Sequence, residues 1–411
     1  MVEAGRVVRL GVERIVPGGD GIGRVDGRAC FVPLSAPGDL LEARVTEARP
    51  DYVRAEIVSV LEPGPGRVEP RCPYYGACGG CNLQHLSYEA QLEAKLGIAR
   101  DAWLRVGRAV EAGFTIVPSA PFGYRNRAQF RYDGSGRPCY ARRASNELLA
   151  VDSCPILAAP LERWLSGSAG AEPSLPAKAG RSTFEAKPGL PAGAEPGKRF
   201  VAFGQDAAPG SGAAPGTGRA YIEGVDDEAV ASILGRSFRF ATAGFFQSNL
   251  AMVERLVPAA VSGFSEDAKG DAAADLYCGV GLFGAFLSGS FRRLVCVEQE
   301  RRSIGYACVN VPRGASFSAM RIEDWTRSAQ ARERFDLVVV DPPRSGLGPA
   351  VRSWLASSRP SVVSYVSCDP VSLARDAGFL VDSGYTVESA ELYDFYPQTS
   401  HIESHVRFRV D

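Results

Sequence analysis

From residue 245 onward the sequence alternates between short apolar runs and amphipathic stretches, and this pattern strongly constrains the fold. The runs have the length of buried strands and cover residues 272–276, 294–297, 335–340 and 361–366. Strands that alternate with helices form mostly parallel, doubly wound sheets, because each crossover helix packs on a face of the sheet. The sequence therefore predicts an α/β domain of Rossmann type over residues 241–411.

Three of these runs end on residues that can do chemistry. Asp275 lies at the end of the first run, Asp341 follows the third and Cys368 lies just beyond the fourth. Open α/β sheets bind ligands beyond the carboxyl ends of their strands, so we expect these side chains to share one crevice. A lone cysteine usually packs as a small hydrophobe. Its position beside two carboxylates makes Cys368 a candidate nucleophile.

A glycine-rich loop, Gly-Val-Gly-Leu-Phe-Gly at residues 279–284, follows the first run directly. Glu298 ends the next run, about 20 residues further on, where a carboxylate can bind ribose hydroxyls. Asp275 and Tyr277 give the loop an acidic and aromatic lining. Such a lining suits a sulfonium-bearing adenosine, since aromatic faces and carboxylates both attract a cation. We expect this loop to bind a ligand of that kind.

The first 61 residues read as a small barrel. Strand-like alternation is interrupted by turn-forming Gly, Pro and Asp at 18–21 and 37–39, which is typical of an oligonucleotide-binding barrel. We predict a helix over 88–108 and three domains, 1–61, 62–240 and 241–411. Residues 166–218 are rich in Gly, Ala, Pro and Ser, and we interpret them as a flexible insertion in a β-rich central domain.

Four cysteines form a candidate metal site, in the pattern C-x5-C-x2-C followed by a distant Cys-Pro: Cys72, Cys78, Cys81 and Cys154. A zinc ribbon requires two C-x2-C knuckles, which this pattern lacks, and His85 is a weaker zinc candidate than Cys154. A cysteine followed by proline suits an iron–sulfur ligand set. The ten cysteines are too sparse for a disulfide scaffold, so we expect a reducing compartment, the cytoplasm.

Residues 124–143 combine cations with aromatic rings, namely Arg125, Arg127, Arg131, Arg137, Arg142 and Arg143 with Tyr124, Phe130, Tyr132 and Tyr140. Arginine binds phosphate and exposed rings stack on unpaired bases, so the segment predicts a face for single-stranded RNA. The alternative is an ordinary solvated strand face. The net charge of −1 gives no global attraction to polyanions, so any such site must be local. We expect no secretory leader, no membrane partner and a monomer.

The motifs resemble those of the RNA uracil-5-methyltransferase family, and they occur in family order across the C-terminal domain. They are Phe-Phe-Gln-Ser-Asn at 245–249, Asp-Leu-Tyr-Cys-Gly at 275–279, Asp-Pro-Pro-Arg at 341–344, Tyr-Val-Ser-Cys-Asp-Pro at 365–370 and His-Ile-Glu at 401–403. The N-terminal strands resemble a TRAM domain, an RNA-binding barrel. The resemblance covers nearly the full chain apart from residues 166–218.

The resemblance implies a role for each matched residue. Gln247, Tyr277, Glu298 and Asp341 would hold S-adenosylmethionine in a class I methyltransferase domain. Cys368 would be the nucleophile and Glu403 the base. It also implies a [4Fe-4S] cluster on Cys72, Cys78, Cys81 and Cys154. The substrate would be 23S ribosomal RNA, with the target uridine flipped out of its stack to reach Cys368.

Two departures from the family pattern carry expectations. Asp369 replaces the usual asparagine after the nucleophile and is expected to raise the pKa of the Cys368 thiol. Leu282 replaces a more polar residue, which would remove one contact with the donor. Three alternatives remain open: a transfer RNA uracil-5-methyltransferase, a non-catalytic RNA-binding protein, and an amino-group methyltransferase that uses Asp341 and the two prolines after it. We interpret His401 and His405 as surface or packing residues.

Overall fold

The computed structural model describes residues 3–106, 113–167, 197–206, 218–264 and 269–410. The chain divides into two compact units. The first comprises residues 1–76, 81–119 and 254–411, and the second comprises 77–80 and 120–253. The boundaries of the three predicted domains stay a prediction.

The N-terminal strands form the predicted barrel within the first unit. They are β1 (Val7–Ile15), β2 (Gly21–Val25), β3 (Arg28–Val32), β4 (Leu40–Ala48) and β5 (Tyr52–Glu62), closed in the order β1-β2-β3-β5-β4. Every second side chain of β1 and β4 points into the barrel, as period-2 patterning requires. Strand β2 was not anticipated, because its glycines hide the apolar alternation. Gly23 is required there, since a Cβ would lie 2.2 Å from the Gly11 carbonyl oxygen.

The next elements are α1 (Tyr88–Val106) and β6 (Thr115–Val117), both in the first unit. Helix α1 agrees with the predicted 88–108 as far as residue 106, and residues 107–108 lie outside the described ranges. On α1, Ile98, Ala99, Ala102 and Trp103 are buried, and Trp103 packs edge-on against Phe114. This face belongs to a core shared with the large sheet of the same unit.

In its described residues, the second unit contains a five-stranded sheet, a hairpin and one short helix. The elements are β7 (Arg127–Tyr132), β8 (Pro138–Ala141), β9 (Leu148–Ala150), α2 (Ala159–Leu165), β10 (Arg199–Gln205), β11 (Arg219–Ile222), β12 (Glu228–Ile233) and β13 (Arg236–Ala241). The sheet order is β11-β10-β7-β8-β9, and β12 pairs with β13.

Strand β10 corrects the interpretation of residues 166–218 as one flexible insertion. It pairs with β7 on one side and β11 on the other, and Phe200 to Phe203 are buried. The surrounding Gly, Ala and Pro masked this seven-residue strand in a composition-based argument. Residues 168–196 and 207–217, the rest of the proposed insertion, lie outside the described residues.

The aromatic rings of 124–143 also require a correction, because three of the four are buried and the fourth, Tyr140, is half-buried in ring contact. Phe130 stacks on Tyr140 at 4.7 Å between ring centroids, and Tyr132 stacks on Phe200 at 4.2 Å. These rings are core residues of the sheet and do not form an open platform for bases. The sequence showed the alternation of rings and arginines but not which side of the strand faced solvent.

The remaining elements build the large α/β sheet of the first unit, with α3 (Leu250–Ala260) leading into it. They are β14 (Gly270–Leu276), α4 (Leu282–Leu287), β15 (Phe291–Glu298), α5 (Arg301–Asn310), β16 (Ala315–Ala319), α6 (Ile322–Trp325), a 3-10 turn (Gln330–Arg332), β17 (Leu337–Val340), α7 (Pro349–Ser358), β18 (Val362–Ser367), α8 (Pro370–Asp382), β19 (Thr386–Tyr393) and β20 (Glu403–Arg409).

The eight strands lie in the order β16-β15-β14-β17-β18-β20-β19-β6. Strands β14 to β18 are parallel, and β20 runs antiparallel between β18 and β19. The strand order reverses at β14, whose neighbours β15 and β17 lie on opposite sides. Ligands of doubly wound sheets bind at such a switch point, so a ligand site is expected at the carboxyl ends of β14, β15, β17 and β18.

Candidate active site

The glycine-rich loop after β14, which we call the donor loop (residues 277–284), has a backbone that few residues can adopt. Tyr277, Gly279 and Gly281 all have positive φ, at 64°, 54° and 85°. At Gly281 a Cβ would lie 2.6 Å from Val311 Cγ2, so the residue must be glycine for close packing as well. The loop then enters α4 at Leu282.

Two carboxylates hold the donor loop through hydrogen bonds to its backbone amides. Asp275 Oδ2 accepts a 2.7 Å hydrogen bond from the Gly284 amide, and Glu298 Oε2 accepts a 3.1 Å bond from the Gly279 amide. Glu298 is half-buried at the end of β15 and uses its other oxygen to accept from the Glu300 amide at 2.8 Å. Each carboxylate oxygen has a second lone pair, so Glu298 can still bind hydroxyl groups.

The crevice holds several carboxyl groups, and the described protein residues do not provide enough positive charge or hydrogen bonds to stabilise all of them as anions. Burial raises the pKa of Asp275 to about 8, with Asp341 and Glu298 acting in the same direction against the Gly284 hydrogen bond. Burial also raises the pKa of Asp341 to about 7. Among the described residues, Asp275 Oδ1 is buried without a hydrogen-bond partner. An acidic site with an unpaired buried oxygen fits a ligand that brings a positive charge and hydrogen-bond donors.

Cys368 and Glu403 lie opposite each other, Cys368 just after the end of β18 and Glu403 at the start of β20. These strands pair antiparallel with Ser367 opposite Ser404, so the next position of the register pairs Cys368 with Glu403. Cys368 is half-buried and Glu403 is only 5% exposed. Burial, then Glu403 and Asp341, raise the pKa of the thiol to about 11. Burial and Asp341 likewise raise the pKa of Glu403 well above its ordinary value.

Arg344 is a residue of this site that the sequence argument left without a role. It is exposed, three positions after Asp341, and it lowers the pKa of the Cys368 thiol against the effect of burial and the two carboxylates. A guanidinium near a thiol stabilises the thiolate. Its position directly after Asp-Pro-Pro is the sequence feature that could have identified it as a site residue.

Asp369 does not act on Cys368 as expected. Its side chain caps α8, with Oδ1 accepting a 2.7 Å hydrogen bond from the Ser372 amide. Aspartate fills this N-cap role as well as asparagine does, because both offer the oxygen that the helix requires. The carboxylates that act on the thiol are Glu403 and Asp341.

Other predicted residues lie apart from this cluster or in the other unit. Gln247 belongs to the second unit, follows β13 in the chain and is buried, so its role toward a donor stays a prediction. Leu282 is buried as the first residue of α4. His401 is exposed, whereas His405 is buried on β20 and hydrogen-bonds Ser364 Oγ at 2.9 Å. Both histidines agree with a surface or packing role.

The four candidate cluster cysteines are half-buried and none of them forms a disulfide. Cys72 and Cys81 belong to the first unit, and Cys78 and Cys154 to the second. Within the second unit, Tyr140 interacts with both Cys78 and Cys154 and hydrogen-bonds the latter. No group of three or more His, Cys, Asp or Glu side chains is placed to hold a metal ion among the residues that the structure describes.

His85 is a packing residue of the first unit and not a metal-ligand candidate. Its two ring nitrogens are 2.5 Å from the Tyr75 hydroxyl and 3.0 Å from the Ser35 carbonyl oxygen. Burial lowers its pKa to about 4. A neutral ring with both nitrogens engaged agrees with the expectation from sequence.

The chain is similar to known RNA methyltransferases in sequence. The family model of tRNA (uracil-5-)-methyltransferases matches residues 225–410, and that of the TRAM domain matches residues 2–58. The chain is 31% identical to the 23S rRNA (uracil(1939)-C(5))-methyltransferase RlmD of Pseudomonas putida, over 99% of this chain and 94% of that protein. It is 30% identical to an uncharacterized RNA methyltransferase of Treponema denticola, over 93% and 94% of the two chains.

A solved structure agrees on the fold. Pyrococcus abyssi tRNA (uracil-54, C5)-methyltransferase, in complex with S-adenosyl-L-homocysteine, superposes with a TM-score of 0.63 and 23% identity, over 97% of this chain and all of that one (100%). Sheet order and donor loop define a class I methyltransferase domain, which the TRAM barrel precedes, and the predicted fold class is confirmed. The chain belongs to the family of S-adenosylmethionine-dependent RNA (uracil-C5)-methyltransferases. In the described ranges, no helix has the length and apolar character needed to cross a bilayer.

Proposed function

We propose that this enzyme methylates C5 of a uridine in 23S ribosomal RNA, in the cytoplasm, through a covalent bond between Cys368 and C6 of the base. The observation that carries the proposal is the facing pair of Cys368 and Glu403 beside Asp341 at the switch-point edge. The ribosomal target rests on RlmD-named relatives that cover almost the whole chain.

The thiol begins the reaction. C5 of uracil is a weak nucleophile until the Cys368 thiolate adds to C6 and moves the π electrons toward the C4 carbonyl, which makes C5 an enolate carbon. With a pKa raised to about 11, the free thiol is protonated at neutral pH. Arg344 is the nearby cation that favours the thiolate, so we assign it the role of stabilising Cys368 when RNA binds.

S-adenosylmethionine supplies an electrophilic methyl group to C5. The residues that we assign to hold it are Tyr277, Glu298 and Asp341 of the first unit, with Gln247 from the second. The unpaired Asp275 Oδ1 and the raised pKa values of Asp275 and Asp341 support this assignment, because a cationic donor relieves both.

Glu403 ends the reaction as the base. It removes the C5 proton, the electrons of that C–H bond restore the C5–C6 double bond, and the bond from C6 to sulfur breaks to release Cys368 as a thiolate. A buried carboxylate with a raised pKa is a stronger base than one in water. The thiol proton of Cys368 is released to solvent before addition, S-adenosylhomocysteine is the leaving group of the methyl transfer, and the reaction ends with the C5 proton on Glu403 and the methyl group on the uridine.

The target base must leave its stack to reach a half-buried thiol, so we propose that the uridine is flipped out. The TRAM barrel is proposed to bind the RNA around it. Of the arginines in 125–143, Arg125 and Arg127 support local backbone, donating to the carbonyl oxygens of Arg127 and Gly244. Arg131 and Arg143 are the members we retain as phosphate contacts.

We further propose a [4Fe-4S] cluster on Cys72, Cys78, Cys81 and Cys154. Four cysteine sulfurs that are not tied up in disulfides are a suitable donor set. Cys78 Sγ accepts a hydrogen bond from the Gly80 amide at 3.4 Å, a contact that stabilises a ligand sulfur. The cluster has no part in the methyl-transfer steps above.

Methyl transfer to defined RNAs tests the substrate. The purified protein is incubated with methyl-labelled donor and either 23S rRNA or bulk transfer RNA, and the label is mapped by nuclease digestion and mass spectrometry. We expect 5-methyluridine in the 23S rRNA and none with Cys368→Ala. Cys308→Ala, at an exposed position of α5, should leave transfer unchanged. Label that enters only transfer RNA contradicts the ribosomal target and supports the alternative.

Anaerobic purification tests the cluster. We expect a brown protein with broad visible absorbance and bound iron, both lost in Cys154→Ser and kept in Cys308→Ser. A colourless protein that contains zinc would refute the assignment.

A further inference from the structure

The segment that leads from β19 to Glu403, here called the base loop (residues 394–402), is held in a strained shape. Gln398 has φ of +70°, a conformation that costs a non-glycine residue on the order of 1 kcal/mol or more. Gln398 is nevertheless buried, with only 3% of its surface exposed. Such a residue persists only where its surroundings fix it, so its contacts show what determines the path into Glu403.

Gln398 is fixed by hydrogen bonds from the chain around α1. Its amide donates to Gln91 Oε1 at 2.8 Å, and Gln91 Nε2 donates to its side-chain oxygen at 3.0 Å. Its carbonyl oxygen accepts from the amides of Asn82 and Leu83 at 3.1 and 3.0 Å. All these residues belong to the first unit.

Asn82 holds the next part of the base loop and the barrel at the same time. Its Oδ1 accepts from the Ser400 amide at 2.9 Å, and its Nδ2 donates to Ser400 Oγ at 3.1 Å and to the Gly18 carbonyl oxygen at 2.7 Å. The barrel turn approaches so closely that a Cβ on Gly19 would lie 2.2 Å from Asn82 Nδ2. One side chain therefore joins the β1–β2 turn to a residue three positions before Glu403.

We propose that Asn82 is a positioning residue for Glu403, through which the TRAM barrel sets the geometry of the proton-removal step. The proposal rests on the role of Glu403 as base. Ser400 bonded at both its amide and its hydroxyl allows little freedom to the short stretch before β20. The hydrogen bonds that the structure gives for the Asn82 side chain go to Gly18 and Ser400, and none goes to Cys368 or the donor loop.

The position of Asn82 predicts which step it affects. Addition of Cys368 to C6 and methylation of C5 do not use the base, whereas loss of the C5 proton does. A base displaced by about 1 Å can slow its step by up to about a hundred-fold. Without Asn82, the methylated adduct between Cys368 and C6 should therefore form normally and leave slowly.

The test uses the full-length protein with 23S rRNA and methyl-labelled donor. Asn82→Ala should lower kcat about ten- to a hundred-fold, leave KM for the donor unchanged, and accumulate a labelled protein–RNA band on a denaturing gel. Asn82→Asp keeps the acceptor for the Ser400 amide but loses both donors, so it should accumulate an intermediate amount of the band. It also serves if Asn82→Ala does not fold.

Gln330→Ala is the matched control. Gln330 is another half-buried amide whose oxygen accepts from Ser318 Oγ and Trp325 Nε1, away from the base loop. Its loss should lower stability without any labelled band. A fall in turnover of Asn82→Ala without the band, or a defect that follows loss of bound iron, overturns the proposal.

Glu403→Gln distinguishes the two claims. If it traps the adduct and both Asn82 variants do not, positioning by Asn82 is wrong and the base assignment survives. If Glu403→Gln traps none, the base assignment fails and the proposal for Asn82 fails with it.

Discussion

At the scale of single residues, the proposed nucleophile Cys368 is held in its protonated form by its own neighbours. Burial, Glu403 and Asp341 all raise the pKa of Cys368, and Arg344 opposes them. A thiol that ionises only when substrate arrives is protected from oxidation and from other electrophiles, since the thiolate is the reactive species.

This balance predicts how alkylation of the ligand-free protein depends on pH. Because the thiolate is the form that reacts, labelling of Cys368 by iodoacetamide should increase with pH toward a midpoint near 11. Arg344→Gln removes a cation, so the midpoint should rise by roughly one pH unit, and Glu403→Gln removes an anion, so it should fall by a similar amount.

Quantitative mass spectrometry of the Cys368 peptide measures these midpoints. Cys308, exposed on α5, is the internal control in the same digests and should respond to neither substitution. A midpoint near 8 that both substitutions leave unchanged would show that these charges do not govern the thiol.

Sequence reasoning singled out Cys368, Asp341 and Glu403 as candidates, because motif order and strand ends mark them. It could not place the side chain of Asp369, since an aspartate before Pro370 fits either a helix cap or a neighbour of the thiol. Only the hydrogen bond to the Ser372 amide separates these cases.

At the scale of elements, the donor loop depends on backbone conformations that glycine provides. Gly281 combines positive φ with contact against α5, where a Cβ would lie 2.6 Å from Val311 Cγ2 and 3.1 Å from Ala307 Cα. The loop and the helix that follows it are therefore fixed by both torsion and packing.

Gly281→Ala should destabilise the protein by roughly 2–5 kcal/mol and weaken S-adenosylhomocysteine binding at least ten-fold, from backbone strain plus overpacking. Thermal denaturation and calorimetric titration measure the two effects. Gly305→Ala on α5 is the control, because its Cβ would meet no atom within 4 Å and alanine favours a helix. Equal losses in both variants would contradict this role of Gly281.

Four strands of the large sheet, β14, β15, β17 and β18, were predictable because buried parallel strands are continuous apolar runs. Strand β10 was not, since its seven residues lie among Gly, Ala and Pro, and only pairing with β7 and β11 reveals it. The rings of β7 misled for a related reason: alternation shows that a strand has two faces but not which of them a second element covers.

At the scale of the whole molecule, the first unit is assembled from segments that are far apart in sequence. The barrel, α1 and the large sheet contribute to one apolar core that includes Ile15, Trp103 and Tyr365. Within it, Lys95 of α1 forms an ion pair with Asp394, and the two side chains are 1% and 0% exposed. Tyr88 also donates to Asp394, at 2.8 Å. Sequence showed these residues only as ordinary charges on a helix and a loop.

Breaking this pair should destabilise the first unit. Lys95→Met leaves the Asp394 charge buried and should cost about 3–5 kcal/mol in the free energy of unfolding, and adding Asp394→Asn should recover much of the loss. Arg292→Met is the control, since the Arg292–Asp271 pair is 71% and 67% exposed and should contribute less than about 1 kcal/mol. Denaturant unfolding of the four proteins measures these values, and equal effects of Lys95→Met and Arg292→Met would disprove the assignment.

The central claim is that uridine methylation proceeds through Cys368 with Glu403 as the base that releases the product. Its most direct test is mass spectrometry of Glu403→Gln after incubation with 23S rRNA and methyl-labelled donor. The account predicts an RNA fragment bonded to the Cys368 peptide that already carries the transferred methyl group. Efficient product formation by Glu403→Gln, or a trapped fragment on any other cysteine, would contradict it.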